Sequence, residues 1–222
     1  TEGTGDSRKG ALGIYRGQRG RMQIEVVVTG RSCHGSMPAM GLNPLEYGAA
    51  ILVDAAARHA AGEGMADHEF VGRGSRTASF AHLDTPSDCA VPERFTFRFD
   101  RRLSVGETAE GALAQIETLE AVRVAREAGL TVEVGVPRYA KPTWTGHAVD
   151  NAQVYPGWIT PVDHPAIVAA VDAYRRVVTP HVHEPAGGGV NGSLRRERRV
   201  DTWVFSTDGV GYPVPLDDTS FE

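Results

Sequence analysis

The chain has 222 residues and a formal charge of -5, from 23 Lys and Arg against 28 Asp and Glu. That length can bury a real core in one or two domains, and that charge leaves no basic footprint for nucleic acid. The longest apolar stretch, 48–57, is interrupted by Asp54 and is too short to span a bilayer, so no membrane segment is expected. Two cysteines are too few for a disulfide framework, and no basic-then-apolar leader is visible. The default expectation is a reducing, cytoplasmic location.

Residues 1–20 are polar and rich in Gly, Arg and Lys, with Leu12, Ile14 and Tyr15 to bury, and read as an entering linker or strand. Met22, Ile24, Val26 and Val28 alternate with Gln23, Glu25, Val27 and Thr29, which predicts a half-buried strand over 21–29. A glycine-flanked loop, Gly30-Arg31-Ser32-Cys33-His34-Gly35-Ser36-Met37-Pro38, then leads to Asn43-Pro44-Leu45-Glu46, a helix start with cap, first-turn proline and acidic reply. Three-and-four spacing predicts that this helix buries Leu45, Ala49, Leu52, Val53 and Ala56 and ends near Gly62 or Gly64. Its small residues, Gly48 among them, suggest close approach of another helix.

A second strand is expected over 77–83, with a turn at 86–88. Phe95, Phe97 and Phe99 alternate with Thr96, Arg98, Asp100 and Arg102, a third strand with one aromatic and one polar face. Ser104-Val105-Gly106-Glu107 has capping-box spacing, and Leu113, Ile116 and Val122 carry a helical period to about Gly129. Leu130, Val132, Val134 and Val136 give a fourth strand. The order strand, helix, strand, strand, helix, strand predicts an α+β, ferredoxin-like βαββαβ domain over 21–136: a four-stranded antiparallel sheet with both helices on one face. Prolines from Pro137 to Pro165 mark a shift into a second segment, 137–222. There a helix from Pro165 is expected to bury Ile167, Val168, Val171 and Tyr174 and to stop at Pro180, and 200–205 reads as a strand.

Four constellations could carry chemistry. His34 sits between two rigid elements, where a ring can be presented to a ligand, although a surface-loop histidine has the same spacing. Asp100-Arg101-Arg102 is either a solvated edge ion pair or, through Arg98 and Arg102 on the polar face, a carboxylate-binding surface. His181-Val182-His183-Glu184 looks like a small metal cluster but lacks a third ligand held by rigid structure. Ser206-Thr207-Asp208-Gly209 follows a strand, where backbone and hydroxyl groups line a cleft or simply turn the chain. No nucleophile elbow, phosphate-binding loop or paired-cysteine motif is present.

Taken in order, Gly17-Gln18-Arg19-Gly20-Arg21, the His34 loop through Pro38, Asn43-Pro44, Asp100-Arg101-Arg102-Leu103, Trp144-Thr145-Gly146 and Phe205-Ser206-Thr207-Asp208-Gly209-Val210 resemble the metallopeptidase family M-twenty. That family includes acetylornithine deacetylase, succinyl-diaminopimelate desuccinylase, aminoacylase and glutamate carboxypeptidase. The resemblance implies a zinc-dependent amidohydrolase or peptidase acting on an N-acyl amino acid or small peptide. In it, 21–136 would be the lid that makes the homodimer, and 137–222 part of the α/β catalytic domain. It implies that His34 reaches into the partner's active site and stabilises the substrate oxyanion, and that Arg102, Thr207, Asp208 and Gly209 contact substrate. The stretches that resemble the family do not include its first half, which carries its His-x-Asp motif, bridging Asp and Glu-Glu pair, nor its final ligand histidine expected beyond the Asp208 region. Two zinc ions are therefore expected in the complete enzyme and none on this chain, which would be a fragment, inactive alone. Two rival readings stand beside this one: a non-catalytic ferredoxin-like self-association or binding module, and a mononuclear metal protein built on His181 and His183.

Overall fold

The computed structural model describes residues 5–6, 11–12, 16–148, 150–177, 202–205 and 211–214. The chain divides into two compact units, one formed by 20–68 and 72–157, the other by 1–19, 69–71 and 158–222.

The first unit is built on β1 (Gly20–Thr29), α1 (Pro44–Ala60), β2 (Ser75–Asp84), β3 (Arg94–Leu103), α2 (Ala109–Glu117), α3 (Glu120–Glu127) and β4 (Thr131–Gly135). Its sheet runs β4-β1-β3-β2, all neighbours antiparallel, which is the expected ferredoxin-like arrangement. One strand more than expected completes it: Val154–Tyr155 returns to pair with β1 at Met22 and Arg21, on the edge that β4 leaves open. β1 and β3 pair over ten residues each, from Arg94↔Thr29 to Leu103↔Gly20. Their alternation buries Met22, Ile24, Val26, Val28, Phe95, Phe97 and Phe99 on the face covered by the helices. The register of β2 on β3 shifts between Arg98 and Phe99, leaving Ser79 as the extra residue of a bulge.

α1 begins as expected, Asn43 Oδ1 accepting the Leu45 N–H at 3.1 Å with Pro44 in the first turn. Its buried face is not the expected one. Pro44, Gly48, Ile51 and Ala55 face the core, while Ala49 and Ala56 are exposed and Leu45 and Val53 remain 38% and 70% exposed. The helix is apolar nearly all round, so periodicity alone allows either stripe. Gly48 decides between them, because a Cβ there would lie 2.4 Å from Phe95 Cδ1. The absent side chain thus admits the sheet, not another helix.

The capping box at Ser104 is likewise displaced. Ser104 and Glu107 close a turn through Gly106 (φ +90°), Glu107 Oε2 accepting the Ser104 N–H at 2.5 Å. The helix starts later, at Ala109, capped by Thr108 Oγ1 on the Gly111 N–H at 3.1 Å. The expected single helix to Gly129 is also two. Thr118 Oγ1 donates back to the Ala114 carbonyl at 2.7 Å, Leu119 turns into the core, and Asp54 of α1 accepts the Ala121 N–H at 3.1 Å to start α3.

In the second unit, Gly5–Asp6 pairs with Ala11–Leu12, Gly17–Gln18 with Trp158–Ile159, and Thr202–Phe205 with Gly211–Val214. α4 (Pro165–Val177) buries Ile167 and Val171, but Val168 is exposed.

Gly48→Val should force a branched side chain into Phe95 and destabilise the first unit by about 1–3 kcal/mol. A lower urea midpoint at unchanged m-value checks this, and an unchanged midpoint contradicts the close approach.

Candidate functional site

The loop that follows β1 is folded back on itself by backbone pairing. Arg31 and Leu42 form a bridge with reciprocal bonds of 3.0 and 2.9 Å, and the Arg31 Nε–H donates to the Met40 carbonyl at 3.0 Å. Within it, Cys33–His34 pairs antiparallel with Ala90–Val91, Ser32 Oγ donates to the Val91 carbonyl at 2.7 Å, and the Gly35 N–H donates to the Cys89 carbonyl at 2.8 Å. Gly35 has no alternative here, since a Cβ would sit 2.5 Å from that carbonyl oxygen. Pro38–Met40 then forms one 3-10 turn. The histidine is therefore carried on a short paired strand rather than on a free loop.

His34 is exposed, and one of its ring nitrogens is spoken for. The Ser36 N–H donates to Nδ1 at 3.2 Å, and Ser36 Oγ lies 2.8 Å from the same atom. A backbone N–H can only donate, so in the neutral ring Nδ1 is the acceptor and the proton belongs on Nε2. Nε2 has no hydrogen-bond partner among the described residues. Such a ring is a positioned N–H donor facing solvent. Sequence reasoning singled out His34 but missed Ser36, whose spacing of two residues is the signal that could have found it.

The polar face of β3 is as expected. Arg98 pairs with Glu25 at 2.7 Å and lies over the Phe80 ring at 4.8 Å. Arg102 Nε donates to Asp100 at 3.0 Å, and Asp100 is shared with Arg21 at 3.6 Å. Two guanidinium groups on one carboxylate leave this end of the face cationic. Thr207, Asp208 and Gly209, together with His181 and His183, lie outside the described residues.

Arg101 is a different case. The alternation that points Arg102 outward points Arg101 inward, where it is 0% exposed, paired with Glu107 and donating to the Arg102 carbonyl. The sequence pattern contained this, because Arg101 continues the Phe95, Phe97, Phe99 row. Reading the Asp-Arg-Arg run as one edge cluster hid it. Among the described residues no group of three or more His, Cys, Asp or Glu could hold a metal ion. Nor is any described helix long and apolar enough to cross a membrane.

Residues 16–123 match the family of the peptidase dimerisation domain. The matched stretch, just under half of the chain, resembles the M-twenty dimerisation domain. Over 197 residues, 89% of its length, it is 36% identical to the uncharacterized protein YgeY of Escherichia coli (strain K12) and spans 43% of that relative. It is also 30% identical over 111 residues to a succinyl-diaminopimelate desuccinylase of Cupriavidus taiwanensis, which covers 49% of this chain and 28% of the desuccinylase. Among solved structures, aminopeptidase PepT from Bacillus cereus shares the fold, with a TM-score of 0.52 and 17% identity over 81% of this chain and 41% of that one. The chain spans less than half the length of the curated relatives it matches.

The Ser36 contact makes a prediction for this chain in solution. Imidazole 15N chemical shifts of neutral His34 should show the Nε2–H tautomer predominating; a predominant Nδ1–H tautomer would contradict the Ser36 contact.

Proposed function

We propose that this chain is the lid and part of the catalytic domain of a hydrolase that cleaves the amide bond of an N-acyl amino acid or small peptide. On this reading 21–136 is the lid, 137–222 belongs to the catalytic domain, and His34 acts across a homodimer. The observation that carries it is the His34 ring: Nδ1 is tied to the Ser36 N–H, and Nε2 faces solvent with no partner among the described residues. A donor fixed before substrate arrives stabilises a developing oxyanion without reorganising, which is what makes such groups effective. The described residues offer the lid's side of that chemistry, an N–H donor, and no group of three or more His, Cys, Asp or Glu among them could hold a metal ion. The metal centre belongs to parts of the enzyme beyond these residues.

Arg102 is proposed to meet the substrate carboxylate. Its own partner, Asp100, is shared with Arg21, so the pair of arginines retains positive charge to offer. Thr207, Asp208 and Gly209 are proposed to contact substrate as well, as the resemblance implies.

Self-association is supported by two features of the first unit. β2 pairs only with β3, so one edge of a ten-residue strand is open among the described residues. α1 leaves Leu45, Ala49, Val53 and Ala56 on its outer side, an apolar stripe in solvent. Strand pairing would satisfy the open edge, and the stripe would be covered by a second copy.

In the complete enzyme, His34→Ala should lower kcat by roughly 10²–10³ with metal content unchanged, a loss typical of removing one oxyanion donor. Equal turnover would remove the role. Val53→Glu should raise the dimer dissociation constant of this chain by at least about tenfold in sedimentation equilibrium, with the circular dichroism unchanged. A wild-type chain that stays monomeric, or a variant that dimerises equally well, would contradict the proposed interface.

A further inference from the structure

The helix side of the sheet holds two neighbouring arginines that are not treated alike. Arg76 of β2 lies directly opposite Arg101 of β3. Arg101 has Glu107, but no carboxylate among the described residues lies within ion-pair distance of Arg76, which is only 6% exposed. Its one hydrogen bond runs from Nη2 to the Ala55 carbonyl at 2.6 Å, and its guanidinium lies 5.7 Å from the Phe99 ring centroid. Burial first, then the neighbouring charges of Arg101 and Arg58, pull the Arg76 guanidinium below its ordinary value, against a weaker opposing effect of Asp54. A buried cation without an anion is costly, and like charges across a strand pair add to the cost.

A cleft of about 130 Å³ opens beside this arginine, lined by Arg58, Glu63, Gly64, Arg76, Gln115 and Thr118. Arg58 contributes a second guanidinium, held loosely to Asp54 at 3.4 Å and Glu63 at 3.9 Å. Gln115 is oriented by its Nε2 donating to the Gly64 carbonyl, which leaves Oε1 buried without a donor. The lining thus offers two cations for an anion's oxygens, opposed by the one carboxylate of Glu63.

We propose that this cleft binds a small tetrahedral oxyanion, of the phosphate, sulfate or phosphomonoester class, on Arg58 and Arg76. Its oxygens take the guanidinium N–H groups. Glu63 sets a limit on affinity, because its carboxylate competes for Arg58. The site is independent of His34 and of the hydrolase reading.

The test is calorimetric titration of the 222-residue chain with inorganic phosphate at neutral pH, with sodium chloride holding ionic strength constant, and the same titration with sulfate. Saturable binding of both is expected, with affinities within about tenfold of each other. Arg58→Gln, at a half-buried position, should weaken phosphate at least about tenfold, whereas Glu63→Gln should tighten it severalfold. Arg76→Gln should abolish binding where circular dichroism shows it folded; Arg58→Gln serves where it is not. A phosphomonoester such as glycerol phosphate, run as a further arm, separates a free-ion site from an ester site by which ligand binds more tightly. Absence of saturable phosphate binding, or equal affinity in wild type and Arg58→Gln, would overturn the proposal.

Discussion

The first unit depends on the register between β1 and β3. Because side chains alternate along a strand, pairing Phe97 with Val26 commits every residue of both strands to one face or the other. The helix side receives Met22, Ile24, Val26, Val28 and the three phenylalanines, all nearly inaccessible to solvent. A slip by one residue would bury Arg98 and Arg102 and expose the aromatic row. The sheet's opposite face and the loop at its end are consequences of that constraint. Gly48 completes it from the helix side, since only a residue without a Cβ lets α1 settle on Phe95.

From that frame the His34 loop inherits its position. β1 ends at Thr29, directly across from Arg94 where β3 begins, so the loops on either side leave from the same end of the sheet. This brings Cys33–His34 alongside Ala90–Val91. The Arg31–Leu42 bridge then returns the chain to Asn43 and the start of α1. Orientation of the ring is settled locally, by Ser36, and its placement globally, by the sheet. Those are different energy scales: a net hydrogen bond contributes about 1 kcal/mol, whereas the core that fixes the strand register is worth far more.

How much of this was legible in the sequence follows from which signals are local. Strict alternation located β1 and β3, and the Asn43-Pro44 start located α1, because each is written in consecutive residues. The buried side of α1 was not legible. Its two apolar stripes differ in one absent methyl group whose importance lies in Phe95, some fifty residues away in a strand. Ser104 and Glu107 show the same effect: a capping-box spacing was real as a contact but served a turn, because Glu107 is drawn to the buried Arg101. The break at Thr118 and Leu119 depends on Asp54 of α1 and could not be read from that stretch alone. For the candidate site, His34 and Arg102 were found by type and flanking residues. The Arg76 and Arg58 cleft was invisible because its members come from three elements and a loop, with no shared motif.

On the function proposed above, the lid of one subunit serves the active site of the other. The most direct measurement uses the complete enzyme in mixed dimers, pairing a His34→Ala subunit with one whose metal ligands are disabled. The mixed dimer should recover up to about half the wild-type turnover, since one active site would then hold both an intact metal centre and the partner's histidine. Recovery no greater than that of either parent homodimer would contradict it.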